Sequence, residues 1–95
     1  MEPLIQTLLK DGEQEMRKYV VSALGAIKDA RAFEAVTQTL LKDKDYQIRR
    51  SAAFALGGTG DARAVESLIQ ALEDKDNYVR GGVVYALGEI GGGGG

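Results

Sequence analysis

Cysteine, histidine and tryptophan are all absent from this sequence of 95 residues, and proline occurs once. Without cysteine the chain has no disulfide framework and no thiolate nucleophile. Without histidine as well, it has no Cys/His zinc site, no imidazole base and no histidine-ligated haem. These absences exclude several large classes of active site. We therefore expect no catalytic residues, no metal and no cofactor, and we predict that the protein is not an enzyme.

Long apolar runs and an excess of positive charge are missing too. The formal net charge is -2 and the isoelectric point is about 5.1, whereas proteins that bind polyanions usually carry a broad excess of Lys and Arg. No segment has the run of about 18 apolar residues that a membrane span needs, or the layout of a signal peptide. The composition predicts a cytoplasmic protein that does not enter membranes, with nucleic acid disfavoured as a partner.

The sequence does contain a repeated unit, which occurs nearly three times. The tetrad Asp-Ala-Arg-Ala at 29–32 returns at 61–64, and the triplet Ala-Leu-Gly at 23–25 returns at 55–57 and at 86–88. The spacing is 32 residues and then 31. A fixed period of this length, in units too short to bury their own apolar face, is typical of a solenoid whose repeats stack into one core.

Each unit divides into two helical stretches around an acidic turn, because apolar residues recur at helical spacing on both sides of it. The apolar positions are Val36, Leu40, Leu41, Ile48, Ala52, Ala55 and Leu56 in the second unit, and Val65, Leu68, Ile69, Leu72, Val79, Val83, Val84 and Leu87 in the third. Residues 57–60 are predicted to end one helix, and Asp61 to cap the next. We predict one domain over residues 1–90, with repeats at 1–28, 29–60 and 61–90, and a glycine linker or tail at 91–95.

The pattern carried by residues 61–88, Asp-Ala-Arg-Ala-Val-Glu-x-Leu-Ile-x-Ala-Leu-x-Asp-x-Asp-x-x-Val-Arg followed by Ala-Leu-Gly, resembles the HEAT-like repeats of the phycobilisome-lyase type. It is equally similar to the artificial αRep proteins built from that consensus. The resemblance implies an all-α fold, a right-handed α-solenoid of about three repeats. It also implies that first helices form the convex layer and second helices line the concave face.

An aspartate is followed six residues later by an arginine in every unit. The pairs are Asp11 with Arg17, Asp43 with Arg49, and Asp74 with Arg80. A catalytic acid and cation pair is needed once, whereas this pair appears in each repeat. We therefore interpret the pairs as a structural ladder, in which each arginine can bind a turn carboxylate and join neighbouring repeats.

The positions that vary between repeats on the second helices form the candidate binding surface. They are Lys18, Tyr19, Ser22, Tyr46, Gln47, Arg50, Ser51, Phe54, Asn77, Tyr78, Gly81, Gly82 and Tyr85. This set holds five of the six aromatic residues, and Phe33 alone lies in a first helix. Tyrosine with small polar residues and arginine is typical of recognition surfaces, since a Tyr ring offers rigid contact area at little entropic cost.

We predict a non-catalytic scaffold that binds another protein through this face, with an acidic patch favoured because the surface is mildly basic. One alternative is an accessory subunit of a chromophore (bilin) lyase. A second is a nucleic-acid-binding module resembling the HEAT-like DNA glycosylases. A third is a purely structural piece of a longer repeat array.

The last repeat also predicts self-association, because nothing apolar follows it to cover its outer face. Leu68, Leu72, Val83 and Leu87 belong to this face, and the tail beyond Ile90 is glycine alone. An uncapped apolar end of a solenoid usually finds a partner. The simplest arrangement is a two-fold dimer in which like ends meet.

Overall fold

The computed structural model describes residues 14–27 and 29–92, and this part contains five helices and no strand. In chain order they are α1 (Gln14–Ala26), α2 (Ala30–Lys42), α3 (Tyr46–Thr59), α4 (Ala64–Ala71) and α5 (Asn77–Gly92). The predicted first helix of the first repeat and Asp11 lie outside the described residues. The chain is therefore an all-α solenoid, as the repeat pattern predicts.

The helices lie in two layers. We call α1, α3 and α5 the second helices and α2 and α4 the first helices of their repeats. The second helix α3 packs between α1 and α5, and α2 packs against α4 in the other layer. The pairs α2 with α3 and α4 with α5 close each repeat. The core between the layers consists of fully buried apolar side chains, the largest being Val21, Leu24, Val36, Leu40, Ile48, Leu56, Leu68, Val79 and Val83.

Aspartates start the helices by accepting backbone N–H groups that have no partner within the helix. Asp29 accepts the N–H of Arg31 at 2.8 Å at the start of α2. Asp45 and Asp76 do the same for α3 and α5, each at 2.8 Å. In both turns, the aspartate two residues after Asp43 or Asp74 therefore caps the second helix, a role that was not predicted from the sequence. Asp61 accepts the N–H of Arg63 at 2.8 Å, but α4 itself begins later, at Ala64.

The predicted helix end at residues 57–60 is confirmed, but the capping residue is Gly60 and not the glycine of the Ala-Leu-Gly triplet. Helix α3 continues through Gly57 and ends at Thr59, and Gly60 is its left-handed cap with φ of 66°. Helix α5 likewise continues through Gly88 and ends at Gly92. Gly57 lies instead where α5 approaches most closely: a β-carbon placed on it would lie 2.8 Å from the α-carbon of Ala86.

Several predicted core residues are exposed at the outer side of the last repeat. Ile69, Leu72 and Val84 are exposed, although their spacing fits a buried helical face. They lie on the side of α4 and α5 that no helix of the described residues covers. None of the five described helices combines the length and the apolar character that a membrane span needs.

Candidate functional site

The turns between first and second helices hold the arginine ladder. Arg49 is buried and donates from Nε to Asp74 Oδ2 at 2.8 Å and from a terminal nitrogen to Asp74 Oδ1 at 3.2 Å. Its other terminal nitrogen donates to the backbone carbonyl of Asp43 at 2.7 Å. A terminal nitrogen of Arg17 donates to Asp43 Oδ2. Arg17 and Arg49 therefore each bind the carboxylate of the next repeat, and Arg49 also binds the backbone of its own turn.

The observed ion pairs join residues of neighbouring repeats, not the aspartate and the arginine that lie six residues apart in one repeat. The carboxylate six residues before Arg49 accepts the backbone N–H of Asp45 at 2.9 Å and the guanidinium of Arg17, not Arg49 itself. Arg80 donates to the Asp74 carbonyl at 2.6 Å and to the Asn77 side chain. Burial opposes ionisation of Asp74, but the hydrogen bonds from Arg49 and from the Asp76 N–H outweigh it, so the pKa of Asp74 lies below its ordinary value.

A groove runs across the second helices on the side away from the first helices. It comprises two adjoining clefts of about 460 and 350 Å3 that share Arg50 and Tyr78. We call it the second-helix groove; it is lined by Lys18, Tyr46, Gln47, Arg50, Ser51, Phe54, Asn77, Tyr78, Gly81, Gly82 and Tyr85. All predicted partner-binding positions except Tyr19 and Ser22 line it. Those two are exposed on α1 but contribute to neither cleft.

Aromatic rings form two pairs in this groove, each joining α3 to α5. Tyr46 and Tyr78 stack with centroids 6.3 Å apart, and Phe54 meets Tyr85 edge to face at 5.7 Å. All four rings keep exposed surface, with Tyr78 65% and Tyr85 60% exposed. Pairs of this kind stabilise by about 0.5–1.5 kcal/mol beyond the area they bury. The rings are therefore held in place and still present faces to solvent.

Arg50 connects the two ring pairs. Its guanidinium carbon lies 4.7 Å from the centroid of Phe54 and 5.8 Å from that of Tyr78. Gly82 explains how Arg50 reaches this place, because a β-carbon on Gly82 would lie 3.1 Å from Cγ of Arg50. Gly82 is consequently buried under Arg50. Gly81 stays exposed, with nothing within 4 Å of where its β-carbon would be.

The charge of Arg50 is not neutralised by any carboxylate in the described part of the chain, whereas Lys18 contacts Glu15 at 3.3 Å. A guanidinium that lies on aromatic faces can still donate from its N–H groups in the plane of the group, in a geometry that matches a carboxylate. The groove therefore offers one oriented cation between apolar rings. Across residues 14–27 and 29–92 no three Asp or Glu side chains cluster closely enough to hold a metal ion.

A larger cavity of about 580 Å3 lies between the loops that join the repeats, at the helix ends opposite the turns of the arginine ladder. Its charged groups are already paired: Arg63 contacts Asp61 at 2.7 Å and lies 4.7 Å above the ring of Phe33. Hydrogen bonds from the side chain and the backbone of Arg63 hold the pKa of Asp61 below its ordinary value. Much of the remaining wall is core side chains such as Leu24 and Leu56. This cavity offers less for recognition than the groove.

Most of the chain matches a known protein family. A family model described as HEAT repeats matches residues 33–93, which include α3, α4, α5 and most of α2. No curated protein matches the sequence.

Proposed function

Since this chain belongs to the HEAT-repeat family, whose members are commonly protein-interaction scaffolds, we propose that it binds an acidic segment of a partner protein in the second-helix groove. The observation that carries this proposal is Arg50, a cation fixed between Phe54 and Tyr78 with no carboxylate beside it in the described structure. A partner carboxylate would bind the guanidinium edge, and apolar side chains next to it would pack on the exposed rings of Tyr78 and Tyr85.

Selection from a random library of short peptides tests both the site and the chemistry. We expect the selected peptides to carry Asp or Glu beside an aliphatic or aromatic residue. Arg50→Glu should weaken their binding by about tenfold or more, because a charge-assisted hydrogen bond stabilises by roughly 1.5–3 kcal/mol. Tyr78→Ala should weaken it by a similar factor, since buried Tyr residues dominate many interfaces.

Lys42→Glu is the matched control, because it makes the same charge reversal at an exposed position of the first helix α2. It should leave the affinity unchanged. Peptides without an acidic bias, or equal losses in Arg50→Glu and Lys42→Glu, would show that the groove is not the site or that carboxylates are not its ligands.

The alternatives from the sequence analysis predict different ligands for the same chain. A nucleic-acid-binding module would bind a single-stranded oligonucleotide and lose affinity steeply with salt, whereas we expect no such binding at physiological ionic strength. An accessory subunit of a bilin lyase, the function that similarity to the phycobilisome-lyase type suggests, would change the absorbance of a free bilin. We place both below protein binding, because of the acidic net charge of -2 and the lack of His and Cys.

A further inference from the structure

The contact between neighbouring second helices has the same form twice. Ala55 of α3 lies over Gly25 of α1, and Ala86 of α5 lies over Gly57 of α3. In both cases a β-carbon placed on the glycine would lie 2.8 Å from the β-carbon of the alanine. Each interface between repeats therefore joins a glycine of one second helix to an alanine of the next, and we call this the Ala-on-Gly contact.

Within residues 14–27 and 29–92, each half of this contact lacks its partner at one end of the stack. Gly88 occupies the position of Gly57 in the last repeat, and a β-carbon placed on it meets nothing within 4 Å. Ala23 occupies the position of Ala55 in the first repeat and is exposed on α1. The last second helix therefore presents the glycine and the first presents the alanine.

Apolar side chains beside Gly88 are exposed where their equivalents inside the stack are buried. Val84 is 60% exposed whereas the equivalent Ala53 is fully buried, and Leu72 is 36% exposed whereas Leu40 is fully buried. Leu68 and Val83, which the sequence analysis also placed on this face, are fully buried within the repeat. The exposed end consists instead of Ile69, Leu72, Val84 and the surface of Gly88.

The first described helix has the complementary side. Met16 is 53% exposed, whereas Ile48, its equivalent in the second repeat, is fully buried. Tyr19 is exposed on the same helix, where the third repeat has the buried Gly82. Positions that are buried on α3 or α5 are thus exposed on α1.

We propose that a second copy of this chain covers the C-terminal end head to tail, with Ala23 of one copy lying on Gly88 of the other. The arrangement continues the Ala-on-Gly contact already present between α1, α3 and α5. The two-fold dimer expected from the sequence would instead place Gly88 opposite Gly88 and supply no alanine for the space. A head-to-tail contact uses different surfaces on the two copies, so it does not close at a dimer, and the assembly grows with concentration.

Two variants that each block one end test the arrangement. Ala23→Arg removes the alanine end and Gly88→Arg the glycine end, and both positions are exposed on helices. In analytical ultracentrifugation from micromolar to millimolar concentration, the unmodified chain should exceed the mass of a dimer. Each variant alone should stay monomeric. An equimolar mixture should form a dimer with one copy of each and grow no further, because each variant retains one intact end.

Gly58→Arg and Ala26→Arg are the matched controls, since they place the same side chain at equivalent exposed positions of α3 and α1, and a β-carbon on Gly58 meets nothing within 4 Å inside the stack. They should assemble like the unmodified chain. A strictly monomeric unmodified chain, a mixture that stays monomeric, or loss of assembly in the controls would overturn the proposal. A dimer of Ala23→Arg alone would establish the two-fold contact of C-terminal ends instead. Circular dichroism and urea unfolding check that every variant folds.

Discussion

The missing methyl group of Gly57 allows α3 and α5 to approach each other closely. A β-carbon at this position would lie 2.8 Å from both the α-carbon and the β-carbon of Ala86, so the backbones would have to separate. Gly58, the next residue of the same helix, has nothing within 4 Å of its β-carbon position. Close packing therefore requires glycine at Gly57, whereas at Gly58 glycine has only its cost in helix propensity.

Gly57→Ala should lower the free energy of unfolding by about 1–3 kcal/mol, the usual cost of overpacking. Gly58→Ala should raise it by about 0.5–1 kcal/mol, because alanine is the better helix former. Urea unfolding of the two variants beside the unmodified chain measures both values. A stabilising effect of Gly57→Ala would mean that α3 and α5 are not in close contact in solution.

At the scale of the helical elements, the ladder joins consecutive repeats through buried ion pairs. Arg49 and Asp74 are both largely buried and joined by two hydrogen bonds, so removal of one partner leaves the other charge uncompensated. We expect Asp74→Asn to destabilise the fold by about 3 kcal/mol or more at neutral pH. Glu73→Gln, which changes the exposed neighbouring carboxylate, should have little effect.

The same pair makes stability depend on pH. The pKa of Asp74 is lowered in the folded state relative to the ordinary value of 3.8, so the folded chain binds this proton less readily than the unfolded chain. The stabilisation is therefore present above the ordinary pKa and is lost as the pH falls through the lower folded value. Urea unfolding between neutral pH and pH of about 2 should show a smaller loss of stability in Asp74→Asn than in Glu73→Gln. Equal losses would contradict this assignment.

The sequence was sufficient to predict which elements form but not how they meet. Periodic apolar residues such as Ile48 and Leu56 predict the helices because burial requires that spacing, and both are buried as expected. The glycine of Ala-Leu-Gly was ambiguous, since glycine ends helices and also permits close packing. Only the position of Ala86 over Gly57 decides between these roles.

In the groove too, the sequence predicts which residues share a face but not how they contact one another. Variation between repeats predicted that Tyr46, Phe54, Tyr78 and Tyr85 share one face, and they do meet in pairs. The place of Arg50 between the rings could not be predicted, because it depends on the room that Gly82 leaves on the neighbouring helix. Likewise, Arg49 binds Asp74, which lies in the next turn, because the stacking of repeats brings the two side chains together. Their distance in the sequence gives no sign of this contact.

For the molecule as a whole, stability should be greatest in the middle of the stack. Helix α3 contacts every other described helix, whereas the outer side of α5 is exposed. In a solenoid, each repeat is stabilised by its own packing and by its interfaces with adjacent repeats. The repeat with two such interfaces should therefore open last, and amide protons of α3 should exchange more slowly than those of α5.

Leu56→Ala and Leu87→Ala measure this gradient at equivalent positions of α3 and α5. Leu56 is 1% exposed and enclosed by both layers, so its truncation should leave a cavity and cost about 2–5 kcal/mol. Leu87 is only partly buried, and the structure around it can relax or admit water, so its truncation should cost clearly less. Urea unfolding at low protein concentration, where copies are separate, compares the two. Equal losses would mean that the last repeat is covered as fully as the middle one, either by a second copy that persists on dilution or by a different packing of α5.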